Sequence, residues 1–125
     1  MNCLSLNVRG LGEDHKVSWV RRLKIRHRCN FLGIQETQLV DTEMINVEGC
    51  WDGTEFRHTT IQSTGRSGGL ISIWDPSIFE VEEVIKSRYY LITMGNWNGI
   101  QGSTIIANIY GPHQATEKKQ VWEEL

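Results

Sequence analysis

Asn7, Glu36 and Tyr110 each fall where an apolar or alternating run gives way to a loop, and His113 follows three residues after the last of them. Together they offer an amide, a carboxylate, a phenol and an imidazole, side chains able to hydrogen-bond a polar ligand or to move a proton. Ligand sites of α/β sheets form where strand ends meet loops, so the pattern admits a polar cluster. Each residue also has an ordinary structural use. Taken alone, Glu36 reads first as a solvated carboxylate after a strand and Asn7 as an amide that caps a turn. Tyr110 reads as a part-buried ring with its hydroxyl at the surface, and His113, just after Pro112, as an exposed loop residue.

The elements that must position these residues are legible from periodicity. Residues 3–8 alternate, with Leu4, Leu6 and Val8 on one face and Cys3, Ser5 and Asn7 on the other, which predicts a strand. Arg9-Gly10-Leu11-Gly12 breaks it. Asp14 is the expected N-cap of an amphipathic helix over 15–28, with Val17, Trp19, Val20 and Leu23 as its apolar stripe and its basic residues facing water. The apolar run 31–34 predicts a buried second strand, and strand, helix, strand implies a parallel or mixed sheet. A short helix is expected over 41–47, capped by Asp41 or Thr42. Strands follow over 55–61, 69–74, 79–85, 89–94 and 103–109, separated by Gly-rich or polar punctuation. Asn98-Gly99 predicts a hairpin between the last two. A final helix is expected over 116–125. A sheet with an apolar face needs a covering layer, and few candidates remain to supply one.

At 125 residues the chain fits one domain, and five Trp, three Tyr and three Phe supply bulky core material, which excludes a disordered or collagen-like chain. No apolar run approaches the ~18–20 residues that span a bilayer, and no signal-peptide pattern opens the chain, so an intracellular protein without membrane partners is expected. Cys3, Cys29 and Cys50 match no CxxC spacing and read as reduced thiols, with no disulfides. The net charge of −2 conceals a division, +5 over residues 1–30 and −7 over the remainder. Such asymmetry fits a nucleic-acid footprint or a solvated helix face.

Ser5-Leu6-Asn7-Val8-Arg9-Gly10-Leu11, Gly33-Ile34-Gln35-Glu36-Thr37, Arg66-Ser67-Gly68-Gly69-Leu70 and Ala107-Asn108-Ile109-Tyr110-Gly111-Pro112-His113 occur in one order across residues 5–113. In that order and spacing the chain resembles the endonuclease/exonuclease/phosphatase family, which has the DNase I-like fold. It is most similar to the apurinic-type endonuclease domain of plant non-LTR (LINE-type) retrotransposon polyproteins. The resemblance implies an α/β (α+β) fold, the N-terminal part of a four-layer α/β-sandwich with mixed sheets. It implies a metal-dependent endonuclease that nicks DNA for target-primed reverse transcription, with DNA and a downstream reverse transcriptase domain as partners and a nuclear location. Glu36 would bind the divalent cation, Mg²⁺ with Mn²⁺ as an alternative, and Asn7 would orient phosphate and metal ligands. Tyr110 would bring its hydroxyl to the scissile phosphate, and His113 would stand near the DNA. Ser67 would hydrogen-bond backbone phosphate.

Two departures qualify this expectation. Some relatives place an acid two positions after the first-motif asparagine, where this chain has Arg9, a cation suited to phosphate. The family's Gly-Asp-x-Asn and Ser-Asp-His motifs do not occur in the sequence, so residues 1–125 read as an incomplete domain, its N-terminal half, with little nuclease activity alone. A non-catalytic relic or pseudogene product is the alternative, as is a family member acting on another phosphoester.

Overall fold

The computed structural model describes residues 1–65, 67–111, 119 and 123. The expected helix over 116–125 lies almost wholly outside the described residues, as does His113. Among the described residues, seven strands form two sheets. The first is mixed, in the order β1 (Cys3–Asn7), β2 (Phe31–Gln35), β4 (Leu70–Trp74), β3 (Arg57–Ile61). The second is antiparallel, in the order β5 (Phe79–Lys86), β6 (Tyr90–Trp97), β7 (Thr104–Ile109). Helix α1 (Asp14–His27) links β1 to β2, which run parallel as the strand, helix, strand order requires, and α2 (Val47–Cys50) is a single turn.

The period-2 rule explains the layers. In β2 and β4, Leu32, Ile34, Ile71 and Ile73 face Val17 and Val20 of α1 and Val47 and Cys50 of α2. The alternate residues face the second sheet, with Phe31 and Trp74 against Phe79 and Trp97, and Leu70 with Leu91 and Tyr110. Both faces of the two central strands are therefore covered, which is why their sequences are mostly apolar, with Gln35 and Ser72 as the polar exceptions. Leu4 and Leu6 of β1 join the helix side while Cys3, Ser5 and Asn7 stay exposed. The covering layer that the sequence left unassigned is the second sheet. Cys3, Cys29 and Cys50 are free thiols, and burial pushes Cys50 up to about 12.

Several local expectations are corrected. Glu13 occupies the N-cap position of α1 without a side-chain hydrogen bond, and Asp14 is the first helical residue, where its charge meets the positive end of the helix dipole instead. The basic residues of α1 do not all face water. Lys24 is buried beneath Trp51 and paired with Asp52, and Lys16 turns back to donate to the carbonyls of Val8 at 2.7 Å and Arg9 at 2.8 Å. The short helix expected over 41–47 divides into a 3₁₀ turn, Thr42–Met44, capped by Asp41, and α2, whose cap Asn46 accepts from the Gly49 amide. Strand β6 runs on through Asn96 and Trp97 because both pair with β5. The Asn98-Gly99 turn is closed by the Ile100 amide donating to the Trp97 carbonyl, with positive φ at Gly99 alone, so β6 and β7 begin pairing only at Gly95 and Thr104. Among the described residues, no helix is long and apolar enough to cross a membrane.

Candidate active site

Because β1 and β2 are parallel and end in register at Asn7 and Gln35, their following loops leave the same edge of the sheet. Antiparallel β4 begins at that edge, so the Gly68-Gly69 segment that precedes it arrives there too. Backbone hydrogen bonds lace the three segments together. Val8, Gly10 and Leu11 donate to the carbonyls of Gln35, Glu36 and Thr37, and Thr37 and Gln38 donate to those of Gly69 and Gly68. Lys16 locks the first loop from the side through its two carbonyl contacts. An ideal Cβ on Gly69, at φ +91°, would stand 2.0 Å from Thr37 Oγ1, so only glycine permits this closeness.

The backbone at this edge is strained. Among the described residues, four non-glycine positions have positive φ, and three of them lie here: Arg9 (+49°), Glu36 (+57°) and Gln38 (+57°). A left-handed conformation costs an L-residue about 1–2 kcal/mol. Such strain persists where surrounding contacts over-determine the chain, and it clusters at functional sites.

Asn7 is exposed, and its Oδ1 accepts from the Arg9 amide at 3.2 Å, so the asparagine does cap a turn. Arg9 projects into solvent one strand away from Glu36, whose side chain is largely buried. Ser67 is exposed in a tight hairpin closed by mutual backbone bonds with Thr64. Tyr110 follows the end of β7, buried, its ring stacked on Tyr89 at 6.4 Å and lying against the Gly68 backbone. Asn7, Arg9, Glu36, Ser67 and Tyr110 thus stand on loops and strand ends of one edge. Among the described residues, no three His, Cys, Asp or Glu side chains converge as a cation cage.

A buried amide network behind this edge escaped the reading by motif. Asn108 Nδ2 donates to the Ile71 carbonyl at 2.9 Å and to Ser72 Oγ at 3.2 Å, while its Oδ1 accepts from Gln35 Nε2 at 2.7 Å. Gln35 Nε2 also reaches Ser5 Oγ at 3.1 Å. Asn108 therefore ties β7 to β2 and β4 two residues before Tyr110, and Gln35 immediately precedes Glu36. The available signal was a polar residue at an inward position of β7, between the inward-facing Ile106 and Tyr110.

A largely buried ion pair, Lys24 with Asp52, lies elsewhere. Burial pushes the Asp52 carboxyl up, but the hydrogen bonds from Lys24 and Thr54 outweigh it and hold the group at about 2. Lys24 and Asp52 border a cavity with Arg28, Asn30 and Asp75, beside the start of β2 and so at the opposite end of the sheet.

The sequence matches no family model and no curated protein. Its structure is similar to that of the AP endonuclease LMAP from Leishmania major, with a TM-score of 0.70 and 14% identity over 95% of this chain and 43% of that one. It is similar also to the Xenopus laevis APE2 catalytic domain, with a TM-score of 0.65 and 13% identity over 98% of this chain and 49% of that one. The chain spans less than half the length of either. Two packed sheets, with helices on the outer face of the mixed one, give this chain the DNase I-like α/β fold of those AP endonuclease structures.

Proposed function

We propose that the chain carries the N-terminal part of a divalent-cation-dependent phosphodiesterase site that nicks DNA. The specific setting we propose is the endonuclease domain of a LINE-type retroelement, with a downstream reverse transcriptase domain as partner and the nucleus as its compartment. One observation carries the reading: left-handed strain at Arg9, Glu36 and Gln38 is concentrated at the edge that also bears Asn7 and Tyr110, in a fold shared with AP endonucleases. In this reading the Glu36 carboxylate holds the cation, Asn7 offers its amide to a phosphate oxygen or a metal ligand, and Tyr110 approaches the scissile phosphate with its hydroxyl. Arg9 and Ser67 bind backbone phosphates. One carboxylate beside an amide fits a hard cation that keeps much of its water, such as Mg²⁺ or Mn²⁺. When bound, that cation would neutralise charge growing on the phosphoryl oxygens.

In this reading the chain by itself does not nick DNA, because the Gly-Asp-x-Asn and Ser-Asp-His motifs that complete the family's site do not occur in its sequence. A chimaera in which residues 1–111 replace the matching part of the Leishmania major protein tests the site. It is expected to nick supercoiled plasmid with Mg²⁺, and Glu36→Ala is expected to lower the rate at least ~100-fold, the scale of losing one transition-state charge contact. Equal rates from the chimaera and its Glu36→Ala form would remove Glu36 from the site.

A further inference from the structure

Helix α1 sorts its basic residues into two kinds. Lys24 and Lys16 are turned inward and compensated, by Asp52 and by the carbonyls of Val8 and Arg9. Arg22 and Arg26 are exposed, and among the described residues no carboxylate lies within ion-pair distance of either. They share a stripe with Trp19, at positions i, i+3 and i+7, opposite the face that buries Val17, Val20 and Lys24. Trp19 is 41% exposed. The stripe runs about 10 Å along the helix axis, away from the edge that bears Asn7 and Glu36. The helix thus shows solvent an indole ring followed by two guanidinium groups, in a chain whose remainder is acidic.

We propose that this outward stripe, Trp19, Arg22 and Arg26, binds single-stranded nucleic acid, with a base stacked on the indole and successive phosphates held by the two guanidinium groups. Charge complementarity selects a polyanion, and the exposed ring selects one with unpaired bases, since stacking platforms joined to a basic track are how single strands are bound without sequence preference. Paired bases would offer Trp19 no open face. An anionic membrane fits less well, because the apolar face of α1 is committed to the core and only Trp19 and Ile25 stand out among its exposed large apolar residues. The inference concerns binding alone and holds whether or not the Glu36 edge cleaves anything.

The test is fluorescence anisotropy of labelled oligo(dT) and oligo(U) with the full 125-residue chain across a salt series. Both strands are expected to bind, and their relative affinity tells a DNA from an RNA ligand. Arg22→Glu/Arg26→Glu should weaken binding at least ~10-fold and flatten the log–log salt slope by about 1.4. Trp19→Ala should weaken it about 10-fold with the slope unchanged. Arg57→Glu, on the far edge strand of the mixed sheet, should change nothing. Far-UV circular dichroism accompanies each variant, and Arg22→Gln/Arg26→Gln replaces the charge reversal if that form misfolds. The proposal is overturned if neither strand binds, or if Arg57→Glu weakens binding as much as the stripe variants do. It is equally overturned if the stripe governs binding to phosphatidylserine vesicles, or a salt-sensitive dimer, instead of the oligonucleotides.

Discussion

Asn108 is where a single amide holds both sheets. Its nitrogen serves a carbonyl and a hydroxyl of β4, and its oxygen serves Gln35 at the end of β2. Removing it takes their donor from the buried Ile71 carbonyl and Ser72 hydroxyl and leaves Gln35 with Ser5 alone, and each unsatisfied buried group costs about 1–3 kcal/mol. Asn108→Ala is therefore expected to destabilise the chain by roughly 2–4 kcal/mol, read as a fall in the urea midpoint at unchanged slope. The residue is also a positioning group for its neighbours, since it fixes the strand that delivers Tyr110 and the glutamine that precedes Glu36.

At the scale of elements, α1 ends in a Schellman arrangement without the usual glycine. The Arg28 amide donates to Ile25 and the Cys29 amide to Lys24, with Arg28 at φ +51° and ψ +41°. Arg28→Gly should relieve that conformation and raise stability by about 1 kcal/mol, visible as a higher thermal midpoint. Helix and strand positions were legible in the sequence because burial here obeys simple periods: 31–34 and 70–74 are covered on both faces and read as apolar runs, the second interrupted by Ser72, while 3–7 is covered on one and alternates. Caps were less legible, because the side-chain preference for an N-cap points to Asp14, whereas the cap position falls one residue earlier, at a Glu13 whose side chain caps nothing. The inward turn of Lys24 depends on Asp52, 28 residues away, and no pattern within the helix announces it. Candidate residues at strand ends were legible as positions. The strain at Glu36 was not, since left-handed backbone is ordinarily betrayed by glycine, and Arg9, Glu36 and Gln38 are none.

For the molecule as a whole, the Lys24–Asp52 pair sets an acid limit. The Asp52 carboxyl, ordinarily near 3.8, is held at about 2 when folded, so the folded state binds its proton less readily than the unfolded one. Stability from this source is complete above pH ~4 and is lost as pH falls toward ~2, about 2 kcal/mol in all. Urea titrations of wild type and Asp52→Asn should differ by about that amount near neutrality and converge in acid. Both partners are needed for another reason as well: a buried Lys24 without its carboxylate is a desolvated charge. The Gln35–Asn108 bond has a consequence in time. It joins residues 73 positions apart, whereas β5, β6 and β7 pair through neighbouring segments. Contacts of long sequence separation must meet the loop-closure entropy before they return anything, so they form late. During synthesis, Asn7 and Glu36 leave the ribosome long before β7 exists, and their edge of the sheet waits for the last described strand before it is backed by the second sheet. The edge that carries Asn7 and Glu36 is thus expected to be among the last parts of the molecule to reach its final packing, although the backbone bonds between its first two loops span only residues 8–37.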